Sequence, residues 1–188
     1  IKLSNFQKKV LDEIFASIRT EETKPILFDG VMGSGKTEVY FKVIEHYIKK
    51  QKQVLILLPE IALSTQWIER FKKVFGFDPL VWNSAISNLN KNKIWQSAIN
   101  KDTIVVVGSR SSLFLPFRNL GIIIIDEEND LSYKQEDITI YNARDMAIVR
   151  SKKSFNPVLL VSATPSLESY NNAKSCLLYT SDAADDMQ

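Results

Sequence analysis

Short, continuous apolar runs alternate along this chain with longer segments in which apolar residues recur at every third or fourth position. The runs are rich in Val, Ile and Leu, which is typical of strands that are buried on both faces of a sheet. The longer segments have the apolar spacing of amphipathic helices, and the first follows Ser4, a residue type that often caps helices. The pattern predicts strands at residues 26–29, 54–58, 80–82, 104–107, 122–125 and 158–161, and helices at about residues 5–18, 36–48, 61–75, 86–99 and 143–149.

Strands that alternate with helices in this way predict a parallel sheet with helices on both faces. In such sheets, ligands bind outside the carboxyl ends of the strands. The loops that begin at Gly30, Pro59, Gly108, Asp126 and Ser162 each directly follow a predicted strand. We therefore expect these loops to share one edge of the sheet.

Composition sets limits on the function. The chain has 188 residues, 45% of them hydrophobic and 24% charged, which is ordinary for one globular domain. A net charge of +2 means that any contact with DNA must come from particular loops rather than from a generally basic surface. No apolar run reaches the length of a membrane span and no signal peptide opens the chain, so we expect a cytoplasmic protein without membrane contact. One cysteine excludes an internal disulfide framework and a C-x-x-C zinc site, and a first residue other than Met predicts a piece of a longer protein.

The segment from Gly30 to Thr37 fits the phosphate-binding pattern G-x-x-x-x-G-K-[ST]. Its glycines let backbone N–H groups close on phosphate oxygens, and the helix that follows directs its positive dipole end at the same anion. Lys36 can reach the β- and γ-phosphates, while the hydroxyl of Thr37 can bind Mg²⁺. The pattern predicts a site for ATP and Mg²⁺ built from Gly30, Gly33, Ser34, Gly35, Lys36 and Thr37.

Asp126 and Glu127, which follow four isoleucines, form a second nucleotide signature. Asp126 is suited to hold Mg²⁺ opposite Thr37, and a carboxylate at Glu127 can orient or deprotonate an attacking water. With Lys36, these two acids are the candidate catalytic residues for phosphoryl transfer. The alternative is a pair of solvated acids at the start of a helix, where the helix dipole favours negative charge.

A phosphate loop, an acidic D-E-x-x box and a Ser162-Ala163-Thr164 segment occur here in the order found in the first RecA-like lobe of superfamily two helicases. More specific matches at residues 29–40, 58–63, 108–114, 132–135 and 162–169 resemble the primosomal replication-restart DNA helicases. The resemblance runs from about residue 3 to about residue 170 and implies a RecA-like P-loop NTPase fold, a single α/β lobe over residues 1–175. It implies ATP hydrolysis that drives 3′-to-5′ translocation at stalled forks. The implied partners are single-stranded and forked DNA, primosome proteins and single-strand-binding proteins.

The same resemblance assigns DNA contacts to the loops after two strands. Short hydroxyl side chains and helix N-termini in these loops are suited to phosphate oxygens, and a guanidinium adds a charge-assisted contact. For both loops the alternative is a capped helix start, and for Tyr133 it is packing in the core. Gln7 lies where such helicases place a glutamine that reads adenine, and the alternative there is an ordinary solvated residue. The implied DNA-binding residues are Pro59, Glu60, Ser109, Arg110, Ser111 and Tyr133.

Residue 129 departs from the family pattern. The acidic box of these helicases ends in a His that links the nucleotide state to the Ser162–Thr164 loop, whereas this chain has Asn129. Asn can form hydrogen bonds but cannot become a cation. We therefore expect nucleotide binding to persist, and we expect the coupling role of Asn129, Ser162, Ala163 and Thr164 to be altered.

Two other functions compete with a helicase lobe. One is a P-loop kinase for a small acceptor, although nothing between residues 128 and 156 resembles an acceptor pocket with a basic lid. The other is a non-catalytic nucleotide-binding module that docks partners, which the presence of Thr37 and Glu127 disfavours. Since the resemblance places the arginine finger and the second lobe elsewhere, we expect this segment alone to be nearly inactive.

The last residues do not continue the alternating pattern. Residues 176–188 resemble a translated sequencing-adaptor tag, and an ordinary chain terminus is the alternative. We expect this tail to be artefactual or disordered and give it no part in the fold.

Overall fold

The computed structural model describes residues 1–19, 25–60, 62–137 and 139–176. The predicted tail therefore lies, apart from its first residue, outside the described residues. Six α-helices are found in the described part: α1 (Asn5–Ile18), α2 (Lys36–Lys49), α3 (Thr65–Phe75), α4 (Asn88–Asn100), α5 (Ala143–Ser154) and α6 (Leu167–Cys176). The strands are β1 (Ile26–Asp29), β2 (Gln53–Leu57), β3 (Leu80–Trp82), β4 (Val105–Gly108), β5 (Leu120–Asp126), β6 (Lys134–Gln135), β7 (Tyr141–Asn142) and β8 (Val158–Ser162).

The main sheet has six strands in the order β1-β8-β5-β2-β4-β3, and every pairing in it is parallel. The prediction of a parallel α/β sheet is confirmed. Because the strands all point the same way, the loops after β1, β2, β4, β5 and β8 meet at one edge, as the sequence pattern predicted. The register brings Asp29 beside Ser162, and Asp126 beside Val161.

Two apolar clusters cover the two faces of the sheet. One contains the buried side chains of α1, α2 and α3 together with Phe28, Ile56 and Ile124, and the other contains those of α4 and α5 together with Leu27, Leu57 and Ile125. Successive strand residues point to opposite faces, so a strand with helices on both sides is apolar at every position. This explains the unbroken aliphatic runs in the sequence.

The sequence-based elements differ from the structure at two helices and around one loop, because α6 was not predicted and α3 was predicted to begin too early. The helix predicted from residue 61 begins at Thr65, because the amides of Ala62 and Leu63 both donate to the carbonyl of Pro59 in a turn and Ser64 caps the helix. The antiparallel pair β6–β7 was not predicted. Each of these strands has two residues, which is too short for a recognisable period.

Candidate nucleotide site

The phosphate loop lies between the end of β1 and the start of α2. Gly33 and Gly35 both have φ near +77°, a left-handed conformation in which a side chain is strained. Gly35 is also closely approached, because a Cβ there would lie 2.3 Å from Nε2 of Gln7. α2 begins directly after Gly35, so its first N–H groups lie beside the loop and lack acceptors within the helix.

The Lys36 side chain is folded against the loop. Its Nζ donates to the carbonyl oxygens of Gly30 at 2.6 Å and of Val31 at 3.2 Å, and the residue is 9% exposed. The ammonium thus lies on the inner side of the loop, where the motif predicts that phosphates bind. It would exchange carbonyl partners for phosphate oxygens, to which a cation binds more strongly.

Asp126, at the end of β5, lies in the same pocket. The cavity has a volume of about 420 Å³ and is lined by Met32, Gly33, Gly35, Lys36, Thr37, Glu38, Arg70, Asp126 and Glu127. The side chains of Lys36, Thr37 and Asp126 therefore converge, although they are far apart in the sequence. This is the convergence that the loop positions implied.

A chain of hydrogen bonds orients Asp126. Trp67 Nε1 donates to Tyr40 Oη at 2.9 Å, and Tyr40 Oη donates to Asp126 Oδ2 at 2.9 Å. Oδ1 accepts the backbone N–H of Glu127 at 3.0 Å. Burial is the largest cause that raises the pKa of Asp126, to about 6; the charge of Glu127 adds to it, while the Tyr40 hydrogen bond and Lys36 oppose it. A divalent cation would relieve the cost of this buried charge.

Glu127 is the next residue and has a strained backbone. Its φ is +48°, and a non-glycine residue in the left-handed region is uncommon. Its carbonyl accepts the amide of Asp130, so the chain turns sharply directly after the strand. The turn places Glu127 on the wall of the cavity while Glu128 points into the protein.

Glu128 is the buried centre of a polar network. It is 1% exposed and accepts the amide of Ser166 at 2.7 Å, the hydroxyl of Ser169 at 2.9 Å and Nη1 of Arg144 at 3.3 Å. Arg144 also donates to the hydroxyl of Ser166 and to Glu168. The acidic box, α5 and the segment after β8 are thereby tied together by one buried carboxylate.

Asn129 joins the acidic box to the Ser162–Thr164 loop. Its Nδ2 donates to Thr164 Oγ1 at 3.1 Å, and its Oδ1 accepts the hydroxyl of Ser162 at 3.0 Å. Ser162 Oγ also accepts the amide of Thr164 at 3.1 Å, which closes a small ring around Ala163. Asn129 therefore uses its amide as donor and acceptor at once, which a neutral imidazole can do as well.

Gln7 contacts the phosphate loop from α1. Its Nε2 donates to the carbonyl of Ser34 at 3.1 Å, and its Oε1 accepts the amide of Ser4 in the capping box of α1. The side chain is thus engaged on both sides. It is not the purely solvated residue that was the alternative for this position.

A second cleft of about 250 Å³ lies on the same edge of the sheet. Arg110 Nη1 donates to the carbonyls of Ser132 and Lys134 at 3.0 and 3.2 Å, so the guanidinium supports the base of the β6–β7 pair. Ser109 precedes a short 3-10 helix (Arg110–Phe114), and Pro59 begins a turn rather than a helix. The cleft is lined by Leu58, Glu60, Ser84, Ser109, Arg110, Ser111, Ser132 and Gln135.

Tyr133 is packed in the core beneath this cleft. It is 1% exposed, and its hydroxyl lies 3.0 Å from the carbonyl of Leu57 and 2.6 Å from that of Asp126. The ring is not accessible for base stacking here. The structure therefore corrects the expectation of a DNA contact at Tyr133 in favour of the core-packing alternative.

Several residues of the site were not found by sequence reasoning. Tyr40 belongs to the apolar stripe of α2 and Trp67 to that of α3, and apolar spacing alone gives neither residue a role in the site. Arg144 and Arg70 carry no local signal because charged residues on helices are usually solvated. Only contacts between elements reveal these roles.

Comparison with known proteins agrees with this geometry. The DEAD/DEAH box helicase family matches residues 4–173. The replication restart protein PriA of Rickettsia prowazekii (strain Madrid E) is 52% identical over 174 residues, which cover 93% of this chain and 26% of that protein. PriA of Bacillus subtilis (strain 168) is 43% identical over 174 residues, covering 93% of this chain and 22% of that protein. The chain thus spans about a quarter of the length of these relatives.

Solved structures show the same fold. RecG bound to a three-way DNA junction superposes with a TM-score of 0.64 at 27% identity and covers 92% of this chain and 22% of its own. The helicase MrfA bound to DNA and AMPPNP has a TM-score of 0.64 at 15% identity, with 95% of this chain and 26% of its own covered. None of the helices among the described residues is both long and apolar enough to cross a membrane.

Proposed function

The chain belongs to the DEAD/DEAH box helicase family, and we propose that it is the ATP-binding lobe of a PriA-like 3′-to-5′ DNA helicase. In this proposal ATP hydrolysis is coupled to translocation and unwinding of DNA during replication restart. The lobe spans residues 1–175 and acts in the cytoplasm, with primosome and single-strand-binding proteins as partners of the complete enzyme. The observation that carries the proposal is the convergence of Lys36, Thr37, Asp126 and Glu127 on one cavity beside a second cleft.

The nucleotide would lie in the larger cavity. Backbone N–H groups from Gly30 to Thr37 and the start of α2 would bind its phosphates, with Lys36 Nζ on the β- and γ-phosphates. Gln7, held against Ser34, is the residue we assign to the adenine. Glu127 would orient the attacking water and accept its proton.

A Mg²⁺ ion fits the donors in this cavity. The Thr37 hydroxyl and the Asp126 carboxylate are hard oxygen ligands in one pocket, and Mg²⁺ is usually held by one or two such groups plus substrate phosphates. Among the described residues no group of three or more His, Cys, Asp and Glu side chains could hold a metal by itself. The ion would therefore arrive with the nucleotide and neutralise charge on its phosphates.

The second cleft is our proposed path for the DNA backbone. Glu60, Ser109, Arg110 and Ser111 line it, Pro59 begins the adjoining turn, and hydroxyl and backbone N–H groups suit phosphate oxygens. The Asn129–Ser162–Thr164 ring lies after β5 and β8, and the carbonyl of Ser162 accepts the amide of Gly30, the first residue of the phosphate loop. We assign this ring, with Ala163, to coupling between nucleotide state and DNA.

DNA-stimulated ATP hydrolysis by the complete enzyme tests the proposal. Single-stranded DNA should raise the rate, and Glu127→Gln should abolish the stimulation while nucleotide still binds. Because an arginine finger from elsewhere can contribute about 10³–10⁵ in rate, the 188-residue chain alone should turn over little. Stimulation by a small phosphate acceptor instead of DNA would identify a kinase, and binding without any turnover would identify a docking module.

A further inference from the structure

We propose that Arg70, on α3, makes a direct contact with the phosphates of the bound nucleotide, as a second cation beside Lys36. The proposal deepens the nucleotide-binding function proposed above and rests on it. No motif points to this arginine, since it follows the phosphate loop by more than thirty residues in a helix of ordinary composition.

The first observation is its place on the cavity wall. Among the residues that line the nucleotide cavity in the described part of the chain, Lys36 and Arg70 are the basic ones, whereas Glu38, Asp126 and Glu127 are acidic. A triphosphate carries several negative charges; Asp126 and Glu127 are partners for a metal and a water, and Glu38 adds a further negative charge to the wall. A second cation on this wall therefore improves the charge balance.

The second observation is that the guanidinium is already held in position. Arg70 Nη2 donates to Glu38 Oε1, and the guanidinium carbon lies 6.0 Å from the centre of the Phe41 ring, which is itself 1% exposed. The side chain of Arg70 nevertheless remains 44% exposed, so its other donors can be reached from the cavity. A planar guanidinium fixed at one edge and open at the other is suited to bind phosphate.

The third observation concerns the position of Glu38. Its Oε2 is buried and has no hydrogen-bond partner in the described structure, and a Cβ on Gly35 would lie 3.1 Å from it. A carboxylate this close to the phosphate loop would repel the nucleotide if it were not paired. Arg70 therefore has two effects on the same ligand: it neutralises Glu38 and it offers donors to the phosphates.

Titration calorimetry of the complete enzyme with magnesium ATP and with magnesium tripolyphosphate tests the proposal. We expect Arg70→Gln to weaken both ligands about tenfold, or about 1.4 kcal/mol, and Arg70→Lys to recover only part of the loss because the ammonium lacks the planar fork. The double variant Glu38→Gln/Arg70→Gln should bind better than Arg70→Gln but worse than the unchanged chain. Lys72→Gln is the matched control on the same helix, where Lys72 pairs with Asp78 on the surface, and it should bind both ligands as the unchanged chain does.

The alternatives give different results. Full recovery in the double variant would overturn the direct contact, since Arg70 would then only neutralise Glu38. A loss for ATP but not for tripolyphosphate would also overturn it, because the contact would be to the nucleoside. If the complete enzyme binds and its Lys36→Ala variant does not, but Arg70→Gln binds normally, only this inference fails; if the complete enzyme binds neither ligand, the proposed function fails with it. Urea unfolding of each variant separates these results from loss of the fold.

Discussion

Replacing Glu128 by Ala should destabilise the protein far more than replacing a more exposed carboxylate such as Glu45. The carboxylate accepts short hydrogen bonds from Ser166 and Ser169 and pairs with Arg144, whose side chain is 7% exposed. Removal leaves a buried guanidinium without that partner and an amide without an acceptor. Breaking a buried pair of this kind typically costs about 3–5 kcal/mol.

This cost is a large part of the total stability of a domain, which is typically about 5–15 kcal/mol. Arg144 keeps two exposed acidic partners, Asp145 and Glu168, which still compensate part of its charge. The expected loss in the free energy of unfolding therefore lies toward the lower end of that range, at about 3 kcal/mol. In a domain of this size, each kcal/mol lowers Tm by about 2–4 °C. We therefore expect a decrease in Tm of roughly 6–12 °C.

Urea unfolding followed by tryptophan fluorescence measures the difference. Glu45→Ala is the matched control, because Glu45 also accepts from two basic side chains, Lys42 and Lys49, but at a more exposed surface. An exposed pair is worth about 0–1 kcal/mol. Equal midpoints for Glu128→Ala and Glu45→Ala would refute the argument that burial makes the Glu128 network essential.

Three further predictions concern the nucleotide site. Lys36→Ala should abolish measurable nucleotide binding in calorimetry while the urea midpoint changes little; unchanged affinity would contradict the phosphate-loop assignment. Tyr40→Phe should move the pH midpoint of magnesium–nucleotide affinity upward from about 6. Asp126 binds a metal only when it is ionised, so affinity falls as the pH drops through its raised pKa. The hydrogen bond from Tyr40 lowers that pKa, and the loss of this bond therefore raises the midpoint further. A midpoint that stays or moves down, measured between about pH 5 and 8, would count against this reasoning. Asn129→His in the complete enzyme should increase DNA-stimulated ATP hydrolysis, because a neutral imidazole can donate and accept as Asn129 does and can also take up a proton, which turns its accepting nitrogen into a donor. A histidine variant no faster than the parent would show that Asn129 couples as well.

Local patterns were enough for the six strands of the main sheet, for five of the helices and for the phosphate-binding loop. An aliphatic run such as residues 122–125 can satisfy its environment only between two layers of helices, and a glycine-rich turn before Lys36 has one common use. The direction of the strands then follows from their helical connections. From this came the shared edge of the sheet, and with it the expectation that Lys36 and Asp126 lie close together.

Tertiary structure decided what each polar residue does. Asp126, Glu127 and Glu128 are three consecutive acids, yet burial raises the pKa of the first, a strained backbone turns the second onto the cavity wall, and the third is buried and paired with Arg144. The same holds for Tyr133, an aromatic residue in a polar loop that is packed in the core. Periodicity records which face of an element is apolar. It carries no information about which distant side chain lies opposite, because that depends on the order of the strands and on the packing of helices that are far apart in the chain.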